Sequence, residues 1–201
     1  MGDRGAGGAV NVYRLRYDQR GTHPLRAHIK ISAMTAFQIL VLCTGNSARS
    51  QVAEALIATL GAQRTAGRVT AASAGSHPAA RVNPGAIAVL ASHGITWGDR
   101  IPKQIDAISD QPFDLVITVC DNARDACPIL PGARATVHWG LPDPADASEP
   151  EQIRTAFAAT YEALLARIEA LLALPLETLS PSELSARAAQ IHRSHPLPTF
   201  G

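Results

Sequence analysis

An apolar, β-prone run, Ile39-Leu40-Val41-Leu42, stops abruptly at Cys43, and a helical pattern begins at Arg49-Ser50. A strand that passes into a helix through so short a loop opens a strand–helix–strand unit. Such units pair their strands in parallel and need helices over the sheet faces.

The alternation continues down the chain. A strand is expected over 37–43. A helix follows over 49–60, with Val52, Ala53, Leu56, Ile57 and Leu60 on one face and Gly61 as its stop. A second strand spans 68–74. Asn83-Pro84 supplies an N-cap and a first-turn proline for a helix that runs to His93 and stops at Gly94. Leu115-Val116-Ile117-Thr118-Val119 is a continuous apolar run of the buried parallel kind. A shorter strand over 135–139 and a long helix over 150–174 complete the pattern.

The expected fold class is α/β, with three layers and a four-stranded parallel sheet flanked by helices. Functional groups in such sheets gather at the carboxyl ends of the strands. Cys43, Cys120 and the segment after Trp139 all fall there. Residues 1–36, rich in Gly and Arg without apolar period, read as a mobile extension, and 37–175 read as the domain. Residues 176–201 read as a peripheral tail with a short helix, signalled by the capping box Ser180-Pro181-Ser182-Glu183.

At 201 residues the chain is long enough for one full core. A net charge of +1, with 17% charged residues, offers no basic stripe for nucleic acid and no charge block for an anionic membrane. No apolar run is long enough to span a bilayer. Met1-Gly2-Asp3-Arg4 lacks the apolar core of a signal peptide, so a cytoplasmic location is expected. Three cysteines do not make a secreted disulfide framework; each is a small buried residue or a reactive thiol.

The Cys-x5-Arg loop favours the second reading for Cys43. A helix N-terminus presents unpaired N–H groups and the positive end of the dipole, so a loop wrapped there can hold a tetrahedral oxyanion beside a nucleophilic sulfur. Thr44, Gly45, Asn46, Ser47, Ala48, Arg49 and Ser50 form the expected cradle. Gly45 is expected to take the unusual backbone angles, and Asn46 to tie the loop to itself. Arg49 offers a planar fork matched to two anion oxygens, and Ser50 a donor to the Cys43 sulfur. The Gly-Lys-Ser/Thr ending of a nucleotide-binding loop is missing.

Cys120 and Cys127 stand seven residues apart. On a helix they would share a face about 10 Å apart along the axis. A disulfide needs Cα atoms within roughly 7 Å, so they bridge only if the polar segment between them unwinds. Their spacing does not suit zinc. A redox pair and two unrelated core cysteines both remain open on spacing alone. In His138-Trp139-Gly140-Leu141-Pro142-Asp143-Pro144-Ala145, Asp143 is a candidate general acid on a proline-stiffened loop.

The run Cys43-Thr44-Gly45-Asn46-Ser47-Ala48-Arg49-Ser50-Gln51 resembles the arsenate reductases that share the low-molecular-weight protein tyrosine phosphatase fold, over roughly 37–174. Gln51 stands where the phosphatases usually have proline. The Cys120-x6-Cys127 segment and Trp139-Gly140…Asp143-Pro144-Ala145 are similar to the redox and acid segments of the reductases. The resemblance implies reduction of arsenate to arsenite, as in arsenic detoxification, by a relay from Cys43 to Cys120 to Cys127. Arg49 binds the oxyanion and Asp143 acts as the acid. A Cys120–Cys127 disulfide remains, for an external thiol system such as thioredoxin to reduce.

No bound cofactor is expected, and the chain is read as a monomer. Some relatives hold potassium beside the loop. Glu54 matches one ligand, but Arg100-Ile101-Pro102-Lys103 brings basic residues to the matching stretch, so a Lys103–Glu54 pair is expected in the ion's place. The alternatives are a phosphatase of phosphomonoesters, which needs Cys43, Arg49 and Asp143 alone, and a non-catalytic anion-binding domain.

Overall fold

The computed structural model describes residues 15–17, 24–26, 36–120, 130 and 132–197. The chain divides into two units, Met1–Thr35 and Ala36–Gly201. In the first, β1 (Leu15–Tyr17) and β2 (Pro24–Arg26) pair antiparallel. The reading of this stretch as an extension without regular structure did not anticipate that pair.

The second unit is built on β3 (Phe37–Cys43), whose residues are all buried except the half-buried Gln38. With β4 (Val69–Gly75), β5 (Leu115–Thr118) and β6 (Ala135–His138) it makes a fully parallel four-stranded sheet in the order β4-β3-β5-β6. Successive β3 side chains point to opposite faces. Ile39, Val41 and Cys43 meet Val52, Leu56 and Ile57 of α1 (Arg49–Arg64) and Phe157, Leu164 and Ile168 of α3 (Pro150–Leu172). Leu40 and Leu42 meet a smaller layer of Ile105, Ile108, Phe113 and Val116. This is the layered parallel sheet expected from the strand–helix alternation. The order puts β3 at the centre, with β4 on one side and β5 on the other. The chain therefore reverses direction across the sheet at the carboxyl end of β3, where Cys43 lies.

The second helix, α2 (Pro84–Ser92), starts as its sequence indicates, with the Asn83 side chain accepting from Gly85 N. Helix α1 departs from expectation at its far end. It runs through Gly61 to Arg64, and the turn is made beyond it by Ala66 and Gly67 at positive φ. A Cβ on Gly61 would lie 2.6 Å from the Val69 carbonyl oxygen. Gly61 is thus a close-approach residue where α1 crosses β4, not a stop.

The tail also departs from its reading. The last helix, α4 (Pro181–Ser194), has the expected Ser180/Glu183 capping box but is not peripheral. Leu184 and Ala188 are fully buried. Trp139 Nε1 donates to Ala188 O at 2.9 Å, and Arg167 Nε to His195 O at 3.0 Å. The reason is geometric: β6 is an edge strand, and its inward face and Trp139 need an apolar cover.

Candidate active site

The five residues after β3 wrap over the start of α1, which has no side-chain N-cap, so its first N–H groups are left to the loop cavity. Asn46 N donates to Cys43 Sγ at 3.1 Å, and Ser50 Oγ lies 2.9 Å from the same sulfur. The direction of the second bond follows from its neighbours. Asn46 Oδ1 accepts from Lys103 N at 2.7 Å, which turns Asn46 Nδ2 toward Ser50 Oγ (3.0 Å) and Ser73 Oγ (2.7 Å). With its oxygen already accepting, Ser50 has its proton free for the sulfur. Ser73 likewise donates to Glu54 Oε2 at 2.5 Å. Two donors aimed at one sulfur are what a thiolate requires. Asn46, Ser50, Gln51, Ser73 and Glu54 are all buried, and every one has a partner.

The unusual backbone angle falls on Asn46 (φ 45), not on Gly45 as the sequence suggested. Asparagine is among the few residues that enter this region readily. The glycine on which the loop depends sterically is Gly75, at the end of β4. A Cβ there would sit 2.4 Å from Thr44 O and 2.9 Å from Asn46 N. Sequence reading passed over Gly75; its only signal was its place at the carboxyl end of a strand neighbouring the loop.

Arg49 and Asp143 meet across the mouth of the loop. Arg49 Nη2 lies 2.5 Å from Asp143 Oδ2, and Nη1 donates to Leu141 O at 2.8 Å. The other carboxylate oxygen accepts from Ala145 N at 3.1 Å. A cavity of about 80 Å3 opens here, lined by Cys43, Gly45, Ser47, Ala48, Arg49, Asn83, Asp143 and Ala145. Asn83 was read only as a helix cap; the sequence carries no sign that it also lines the cavity. No aromatic ring is among these lining residues.

Cys120 follows β5, next to β3 in the sheet, and Val119 N donates to Leu42 O at 2.9 Å. This brings the second thiol to the first loop residue, with Thr44 Oγ1 3.5 Å from Cys120 Sγ. Both Cys43 and Cys120 are buried and free. Cys127 lies outside the described residues, so the structure does not bear on its pairing. Glu54 is faced by Lys103 Nζ at 3.7 Å and Arg100 Nη1 at 3.9 Å, so the Lys103–Glu54 pair is present, with a second cation beside it.

Residues 38–183 match the family described as low molecular weight phosphotyrosine protein phosphatase. The chain is 40% identical over 109 residues to an arsenate reductase from Halalkalibacterium halodurans, covering 54% of this chain and 75% of that protein. Among solved structures, an arsenate reductase in its phosphate-binding state is 31% identical with a TM-score of 0.54, covering 68% of this chain and 96% of that one. A tyrosine phosphatase from Erwinia amylovora is 25% identical with a TM-score of 0.52, covering 67% and 89%.

Proposed function

The chain belongs to the low-molecular-weight phosphotyrosine protein phosphatase family, and on that premise we propose that it reduces arsenate to arsenite, drawing two electrons from its own thiols. The Cys43 thiolate attacks arsenic within the loop N–H groups and Arg49. Asp143 protonates a departing oxygen, which leaves as water, and an S–As bond remains. The Cys120 thiolate then attacks Cys43 Sγ. A Cys43–Cys120 bond forms, the S–As bond breaks, and its electron pair stays on arsenic, which departs as arsenite. Cys127 attacks Cys120, frees Cys43 and leaves a Cys120–Cys127 disulfide. An external dithiol, of which thioredoxin is the proposed example, reduces that disulfide.

The observation that carries this reading is the second buried thiol. Cys120 stands at the end of the strand next to the nucleophile's, 3.5 Å from a loop hydroxyl. Hydrolysis of a phosphoester by Cys43, Arg49 and Asp143 has no use for it. The same cradle suits phosphate as well as arsenate, and a weak phosphomonoesterase side activity is part of the proposal. The lining has Ala145 and no aromatic ring to stack on a phosphotyrosine.

No described helix is long and apolar enough to cross a membrane. A cytoplasmic setting, where thiols are kept reduced, and a monomeric working state complete the reading. Residues 37–175 carry the chemistry, with 1–36 as an extension and 176–201 as a tail that supports the fold through α4.

Cys→Ser variants at the three positions test the relay. Cys43→Ser abolishes all arsenate turnover. Cys120→Ser stops it after arsenate has bonded to Cys43. Cys127→Ser gives one turnover and halts as a Cys43–Cys120 disulfide. Full multiple turnover by Cys127→Ser with thioredoxin would falsify the three-thiol scheme.

A further inference from the structure

Gln51, in the first turn of α1, is 1% exposed and uses its whole carboxamide. Nε2 lies 3.1 Å from Asn46 O and 3.2 Å from Asn46 Oδ1, and Oε1 accepts from Trp97 Nε1 at 2.7 Å. The indole nitrogen can only donate. It therefore fixes the amide with its oxygen toward Trp97 and its nitrogen toward Asn46. Without that donor the orientation of the amide rests on the two Asn46 oxygens alone, and its oxygen is left buried without a partner. Asn46 is the one loop residue at positive φ, and its N–H is aimed at Cys43 Sγ.

Trp97 is itself held. It is buried, and the Arg100 guanidinium lies 4.2 Å from its ring centroid while also facing Glu54 at 3.9 Å. A buried indole N–H needs an acceptor, and here that acceptor is the amide that contacts the loop.

We propose that Trp97, acting through Gln51, is a positioning residue that holds Asn46 in its left-handed conformation, so that the oxyanion cradle stands ready before the anion arrives. The assignment rests on the oxyanion-binding reading of the loop and not on the later thiol steps. It gives the glutamine after the Cys-x5-Arg-Ser run a specific task, which a proline there could not perform. The indole N–H also reports whether the brace is closed in the free chain.

The test uses inorganic phosphate, which binds without redox chemistry. Trp97→Phe keeps the ring and removes the donor, and Gln51→Leu removes the amide. Each is expected to weaken phosphate binding about threefold to tenfold, the worth of one buried hydrogen bond. The KM for arsenate should rise with it, while kcat changes less. The double variant should be no weaker than the worse single variant, since both break one chain of contacts. Wild-type affinity in Trp97→Phe, with only the melting temperature lowered, overturns the assignment, and so do fully additive losses.

Should Trp97→Phe not fold, the unaltered chain decides. Its Trp97 indole N–H, assigned through Trp139→Phe, must already be protected from hydrogen exchange before phosphate is added, and fast exchange that slows only on phosphate binding overturns the proposal. A wild-type chain that binds phosphate but leaves arsenate unreduced would sink the reductase reading alone. One that binds no phosphate would sink the cradle and its brace together.

Discussion

Arg49 and Asp143 grip each other at 2.5 Å across the loop mouth, so the cation proposed to bind the anion is occupied by the proposed acid. On the proposed mechanism an incoming oxyanion takes over the guanidinium and releases the carboxyl group toward the reaction. Asp143→Asn should thus split binding from turnover. Loss of a general acid lowers kcat by about 100-fold or more. Phosphate affinity should hold or rise, because a neutral amide competes less well for Arg49. Steady-state kinetics and phosphate titration of the same sample check both halves, and an unchanged kcat removes Asp143 from the mechanism.

Gly75 permits Thr44 and Asn46 to pass over the end of β4 at contact distance. Gly75→Ala forces that crossing apart at a cost of about 1–3 kcal/mol for a tight site. The expected result is a lowered melting temperature together with a loss of phosphate affinity, because the displaced atoms belong to the cradle itself. A variant that melts early but binds normally would show that the loop tolerates the shift.

Glu54, with its side chain 5% exposed, faces Lys103 and Arg100, the pairing expected to make a metal cation unnecessary there. The wild-type chain should therefore melt and turn over equally in potassium and sodium chloride. Lys103→Ala should cost about 1 kcal/mol, since Arg100 remains and Lys103 is partly exposed. A specific gain from potassium in the wild type contradicts this arrangement.

His192 gives the fold a pH dependence of definite sign. Burial lowers its pKa below the ordinary 6.5, and the charges of Arg167, His138 and Arg193 push the same way. The unfolded chain then takes up the proton first. Stability at neutral pH is lost as pH falls from about 6.5 toward the folded-state value. His192→Gln should flatten that part of the profile. Melting temperatures at pH 7.5 and 5.5, compared between the two chains, measure it, and identical slopes would count against the assignment.

Helix α4 is a structural member of the sheet layer, with Leu184 fully buried beside Trp139's partner Ala188. Leu184→Ala should cost about 2–5 kcal/mol in a denaturant melt. A loss below 1 kcal/mol would return α4 to the periphery.

What the sequence disclosed and what it withheld have separate physical causes. The central strands were legible because apolar runs buried on both faces leave a continuous pattern. The Cys43–Arg49 loop was legible because its residue types are fixed by chemistry. Gly61 was misread because a glycine that stops a helix and one that lets a strand pass close look alike without the partner strand. The tail misled for a related reason. Its prolines and serines mark caps, and only the unshielded face of β6 gives the helix between them something to cover. Asn83 and Gly75 reach the site through tertiary geometry alone.

The Ser50 donor was read from the sequence, but the contacts that aim it were not. Its aim at the Cys43 sulfur is set by the orientation of the Asn46 amide, which the main-chain N–H of Lys103 fixes. Any residue other than proline would supply that N–H. The shorter of the two bonds that point the nucleophile's hydrogen-bond donor thus comes from main chain, and only the longer one from a side chain, Gln51. A proline at 103 would remove the shorter bond and leave the Asn46 amide to Gln51 alone.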